Sequence, residues 1–278
     1  MRMRLYEERF CFAVTAVFAC ASLNLYAAGG TWQGTTNSDW NVATNWQGGV
    51  IPGQTMDTTN RDAVNFYRGS GYQAIVTPDP GRAISYINFD QTAGSAISYT
   101  IGTTTGTPLI LTSGAGGTMT INATLTNANI TETINAPLII YGDYQFINGS
   151  PATSTTLRLG GTISSGTNIT INLQFKGSNI GSNTISGVIS NGAGTVNVTQ
   201  IRAGTLLLAA TNTYTGSTSV TLGSLIAAAD APSGAPGAFG NSINAVTVGD
   251  TASTATGNAA LLAGYGNAAV TVSRAITV

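Results

Sequence analysis

The sequence predicts an all-β chain, a right-handed parallel β-helix, and three observations carry that prediction. A short segment repeats in register: Gly204-Thr205-Leu206-Leu207 returns as Gly223-Ser224-Leu225-Ile226, 19 residues later. Between the copies lie a turn-forming cluster, Asn212-Thr213-Tyr214-Thr215-Gly216, and the alternating Val220-Thr221-Leu222. One strand, one turn and one strand per period is what a stacked solenoid rung requires, because a single rung cannot bury its apolar face alone.

Weaker echoes run through the preceding residues. Thr120-Ile121-Asn122-Ala123-Thr124-Leu125 returns 13 residues on as Thr133-Ile134-Asn135-Ala136-Pro137-Leu138, and again at Thr170-Ile171-Asn172-Leu173. Gly161-Thr162-Ile163-Ser164-Ser165-Gly166 matches Gly187-Val188-Ile189-Ser190-Asn191-Gly192 at an offset of 26. The unequal spacings predict regular strands joined by irregular loops.

Composition is the third observation. Of 278 residues 42% are hydrophobic, enough for a packed core. Only 8% are charged, and the polar remainder is Thr, Ser, Asn and Gly, which suits pleated strands and turns better than helices. A net charge of −1 gives no basic face, which argues against nucleic acid as a partner. Histidine is absent, which removes the commonest routes to triads, metal sites and general acid–base pairs at neutral pH.

Residues 1–28 read as a signal peptide. Arg2, Arg4 and Arg9, diluted by Glu7 and Glu8, precede the apolar run FCFAVTAVFACASL at 10–23, too short to span a bilayer, and the small Ala27 and Ala28 follow. Cys11 and Cys20 both lie inside this segment, so the expected mature chain carries no thiol or disulfide chemistry. Val17-Phe18-Ala19-Cys20 is a poor match to a lipoprotein cleavage box. A buried helix is the alternative reading of the apolar run.

Residues 29–100 are expected to form an N-terminal cap and the first rungs. They hold all three tryptophans, in Thr31-Trp32-Gln33-Gly34, Asp39-Trp40-Asn41 and Asn45-Trp46-Gln47-Gly48-Gly49, followed by Pro52 and a first strand at Asp62-Ala63-Val64-Asn65-Phe66. A solenoid's terminal rung exposes an apolar cross-section that must be covered, and clustered indoles suit that task. Residues 101–278 are expected to be the repeat region. Its inward pairs are read as Val196/Val198, Leu206/Leu208, Val220/Leu222 and Val246/Val248, and an antiparallel sandwich is the rival architecture. Alternation continues to Ile276-Thr277-Val278 without a polar closing rung, so the chain reads as the leading part of a longer solenoid or a truncated copy.

The segment 204–228, G-T-L-L-L…T-N-T-Y-T-G-S-T-S-V…G-S-L, closely resembles the autotransporter-associated β-strand repeat of bacterial surface passengers. The matching residues are Gly204, Thr205, Leu206, Leu208, Asn212, Thr213, Tyr214, Thr215, Gly216, Val220, Gly223 and Leu225. The chain departs from the pattern at Ala209-Ala210-Thr211 and at Ser217. The tryptophan block bears a looser likeness to the opening of such passengers. The resemblance implies a secreted parallel β-helix, displayed at the cell surface, outer membrane or outside the cell, and names no ligand.

Sites for chemistry are sparse. The acids of the repeat region are Glu132, Asp143, Asp230 and Asp250, its bases Arg158, Lys176, Arg202 and Arg274, and none lies within a few residues of another. A carboxylate pair needs roughly 5 to 10 Å of separation, and stacked strands lie about 4.8 Å apart. Asp230 and Asp250 are the one candidate pair at near-rung spacing. Asp57, Asp62 and Asp79 form no calcium loop and read as turn residues. Trp32, Trp40 and Trp46, with Tyr67 and Tyr72, would either pack the cap or present a sugar-stacking platform. Tyr214 reads as rung-edge packing, and Asn122 and Asn135 as an asparagine ladder. The expectation is a surface-displayed structural or adhesive protein without catalysis and without a cofactor. Its partners would be a host, cell-surface or extracellular polysaccharide or protein, and export machinery or a translocator barrel outside this chain. The alternative is a carbohydrate-binding or carbohydrate-active β-helix.

Overall fold

The computed structural model describes residues 29–67, 72–90, 96–114, 116–201, 203–249, 258–266 and 269–278. The signal segment with Cys11 and Cys20, together with Arg202 and Asp250, falls outside them. The described strands form three sheets, of ten, eight and six strands, called here long, middle and short. Each turn of the coil visits short, long and middle sheet in that order, as in Leu109–Thr112, Gly117–Ile121 and Thr131–Ile134. Neighbouring strands within a sheet come from successive turns and pair in parallel, which makes the chain a parallel β-helix. One antiparallel pair, Gln54–Thr55 with Arg82–Ile84, sits in the short sheet beside the cap.

Strand alternation builds the interior. In Ile171–Lys176 the apolar Ile171, Leu173 and Phe175 point inward and Asn172, Gln174 and Lys176 outward. Parallel register then stacks like on like: Met119, Phe146 and Phe175 lie in one inward row, the two phenylalanine rings stacked 5.0 Å apart and nearly parallel. A single core runs from Trp32 to Val246, so the cap and the repeat region share one interior.

The sequence echoes separate into two kinds. Thr205 pairs with Ser224, Leu206 with Leu225 and Leu207 with Ile226, so the 19-residue echo is a true rung step. Ile163 pairs with Ile189 and Ser164 with Ser190, which makes the 26-residue echo another. The 13-residue echo is no rung step. Gly117–Ile121 lies in the long sheet and Thr131–Ile134 in the middle sheet of the same turn, so Asn122 and Asn135 do not stack. Half a period in a chain whose strands all alternate imitates a whole one. Rung length is uneven: Gly223 pairs with Ala259, 36 residues on, against the 19 of the preceding step.

Of the expected inward pairs, Val196/Val198 and Leu206/Leu208 are fully buried. Strand Thr218–Val220 instead turns Thr218 and Val220 inward, and Leu222 falls half-buried in the following turn. Val246 is buried and Val248 half-buried.

Candidate functional site

The repeat motif explains itself once the three sheets are in place. The short sheet ends at Ile189–Gly192, and in the next turn the segment around Asn212 fills its position. The buried Asn212 accepts from the Ile189 amide through Oδ1 (2.8 Å) and donates through Nδ2 to the Ala238 carbonyl (2.8 Å). Its own amide and carbonyl exchange hydrogen bonds with Gly237, and the Thr213 amide donates to the Ile189 carbonyl. One side-chain amide thus does the work of a strand peptide between two turns. Tyr214 is buried, its hydroxyl 2.7 Å from the Thr218 hydroxyl and its carbonyl accepting from Asn241. Burial holds its phenol above the ordinary value, the Thr218 hydrogen bond and nearby Arg274 acting in the opposite direction.

The remaining motif positions are structural in the same way. The Thr215 amide donates to Asn191 Oδ1, and Asn191 Nδ2 donates to the Thr215 hydroxyl. At Gly216 a Cβ would run into the Val196 carbonyl and the Asn197 side-chain oxygen. Gly204 has φ +98°, where glycine alone is comfortable. Gly223 begins strand Gly223–Ala227, Thr205 lines the outer side of Thr205–Leu208, and Leu206, Leu208, Val220 and Leu225 fill the core.

The tryptophans are enclosed. Trp32 and Trp40 are wholly buried and Trp46 is 1% exposed. Each indole N–H has an internal acceptor: Gln73 O for Trp32, Pro52 O for Trp40 and Trp40 O for Trp46. Trp46 lies 5.0 Å from both other rings, and Phe66, then Phe89, continue the stack into the first rungs. No indole face is open to a sugar ring in this arrangement, because all three rings are enclosed. Beneath them the buried Arg82 pairs with Asp79 and donates to Asn41 and to the Gly53 carbonyl.

The acids are engaged separately. Glu132 points into the interior from strand Thr131–Ile134, and its Oε2 accepts from the Tyr99 amide at 2.9 Å. Burial pushes its carboxyl up to about 8, the Tyr99 hydrogen bond only partly opposing this. Asp143 begins a ladder on the outer face of the long sheet. It accepts from the Asn172 backbone and side-chain amides, Asn197 donates to Asn172 Oδ1, and Ser217 N donates to Asn197 Oδ1. A second amide step joins Asn88 to Asn65. These asparagines, in place of Asn122 and Asn135, form the ladders; Asn122 instead donates to Asp90. Asp230 accepts from the Thr271 amide. Among the described residues no three of His, Cys, Asp and Glu are grouped to hold a metal.

What the fold does assemble is a wall. Along the long sheet, outward positions line up in register through Tyr86, Thr118, Gln145, Gln174, Thr199 and Ser219. The flanking outward row passes through Asn65, Asn88, Thr120, Ile147 and Lys176. Rung register, invisible in the linear sequence, was the signal that sequence reasoning lacked here.

No family model matches this chain, and neither a curated protein nor a solved structure matches it significantly.

Proposed function

We propose that this chain is an exported bacterial surface protein that acts by passive contact through the side wall of its β-helix. The observation that supports the reading is the long sheet's continuous outer face, with successive turns of the coil adding one strand each to a polar wall. Each acid described in the repeat region has a structural partner: Glu132 with Tyr99 N, Asp143 with Asn172 and Asp230 with Thr271 N. Export is inferred from the apolar run at 10–23 with its flanking arginines. The likeness of 204–228 to passenger repeats belongs to the same reading.

The test is a surface-adhesion assay with secreted, purified protein and its Asp143→Asn and Asp230→Asn variants. Both should retain adhesion and fold, since asparagine preserves the accepting oxygen and surface changes of this kind cost little. Turnover of a polysaccharide by the purified chain, lost in either variant, would replace this reading with an enzymatic one.

A further inference from the structure

We infer that the outer face of the long sheet is a track for a single neutral polysaccharide chain lying along the coil axis. The inference rests on the surface-contact reading above and names its partner class. The row from Tyr86 to Ser219 advances by one strand spacing per turn, roughly 24 Å over five steps of about 4.8 Å. Its members Thr118, Gln145, Gln174, Thr199 and Ser219 are hydroxyls and amides, each both donor and acceptor and half-buried, with the Ser219 hydroxyl donating to that of Thr199 at 3.1 Å. A polymer whose hydroxyls recur along its length can meet such a row repeatedly.

Charge favours a neutral partner. The rows described on this face carry one lysine, Lys176, and the ladder beside them one aspartate, Asp143, whose carboxylate is occupied by Asn172. A polyanion needs a line of cations to exchange for its counterions, and this face has none among the described residues. At the cap end Tyr86 adds a half-exposed aromatic ring to the row, the kind of surface on which the apolar face of a pyranose stacks. Each contact displaces water and contributes little, so retention comes from many steps engaged together and must depend on polymer length.

Affinity electrophoresis of the secreted protein, in gels containing hydroxyethylcellulose, galactomannan or polygalacturonate, tests the track. Retardation is expected with at least one of the two neutral polymers and none with polygalacturonate, and the matching monosaccharide at equal mass should not relieve it, since a single unit engages one step of the row. Thr118→Glu/Gln174→Glu should weaken retardation at least tenfold. Thr118→Val/Gln174→Leu, which keeps the charge and suits a strand, should do the same. Thr133→Glu, on the outer face of the middle sheet, should leave it unchanged. Retardation that survives both double variants, that appears only with polygalacturonate, or that is absent from both neutral gels overturns the inference. So does a dimer in sedimentation that the same variants dissociate, since the face would then meet a second copy. Adhesion of the secreted protein to cells that persists under any of these results leaves the surface-contact reading standing, and its loss in the unmodified protein sinks that reading separately.

Discussion

The side chain of Asn212 holds the backbone of Ile189: Oδ1 accepts the Ile189 amide at 2.8 Å while Thr213 N returns a bond to the Ile189 carbonyl. Where the short sheet stops adding strands, this pair continues its hydrogen bonding, and Nδ2 passes the connection on to Ala238. The turn cluster at 212–216 is therefore a splice between turns of the coil.

Replacing Asn212 with alanine should leave a buried N–H at Ile189 and a buried carbonyl at Ala238 unpaired. At about 1–3 kcal/mol for each orphaned group, the loss should be about 2–6 kcal/mol, read as a lower urea midpoint. Thr213→Ala, at an exposed position, should change stability by less than about 0.5 kcal/mol. Equal effects from the two changes would contradict the splice.

Leu208 and Leu207 are adjacent and face opposite ways. Leu208 is wholly buried in the core, and Leu207 belongs to the outer row of the middle sheet with Thr184 and Ile226, although only 4% exposed. Leu208→Asp places an unpaired charge among apolar side chains and should cost several kcal/mol, loosening neighbouring turns as well. Leu207→Asp should cost less, because Leu207 lies outside the apolar core that encloses Leu208. Hydrogen exchange across strands Ser182–Ile185 and Gly223–Ala227 reports the difference.

Glu132 makes the fold sensitive to alkali. Burial raises its folded carboxyl to about 8 from an ordinary 4.5, so between those pH values the folded state holds a proton that the unfolded state has released. Stability should therefore fall as pH rises, by about 1.4 kcal/mol per pH unit in that window from this group alone, and level off above it. Chemical unfolding at pH 5, 6.5 and 8 measures the slope. In Glu132→Gln, which keeps an oxygen for Tyr99 N, this component should vanish; an unchanged slope would assign it elsewhere.

All tryptophan emission should come from the cap. With Trp32, Trp40 and Trp46 enclosed, the spectrum should be blue-shifted, resist iodide quenching and stay unmoved by added polysaccharide. Trp46→Ala, removing the ring that contacts both others, should cost about 3–5 kcal/mol and release the remaining emission toward the red.

Much of this was legible in the chain itself. Period-two alternation and Gly-rich turns specify strands locally, and the echo at Thr205 and Ser224 carried a true rung step because both copies have the same apolar pattern in the same sheet. The aromatic cluster was visible as three indoles, Trp32, Trp40 and Trp46, within 15 residues of one another. The tertiary structure decided which strands became neighbours, and with that which side chains share a row. Asn122 and Asn135 look equivalent in sequence yet lie on different sheets, whereas Asn172 and Asn197, in less similar surroundings, stack. The same holds for Glu132, whose charged type suggests a surface and whose strand phase turns it inward. Alternation is a local property of the backbone and survives any loop length. Register across turns depends on how many residues each loop consumes, between 19 and 36 per turn among the paired strands, and only the closed coil determines that number.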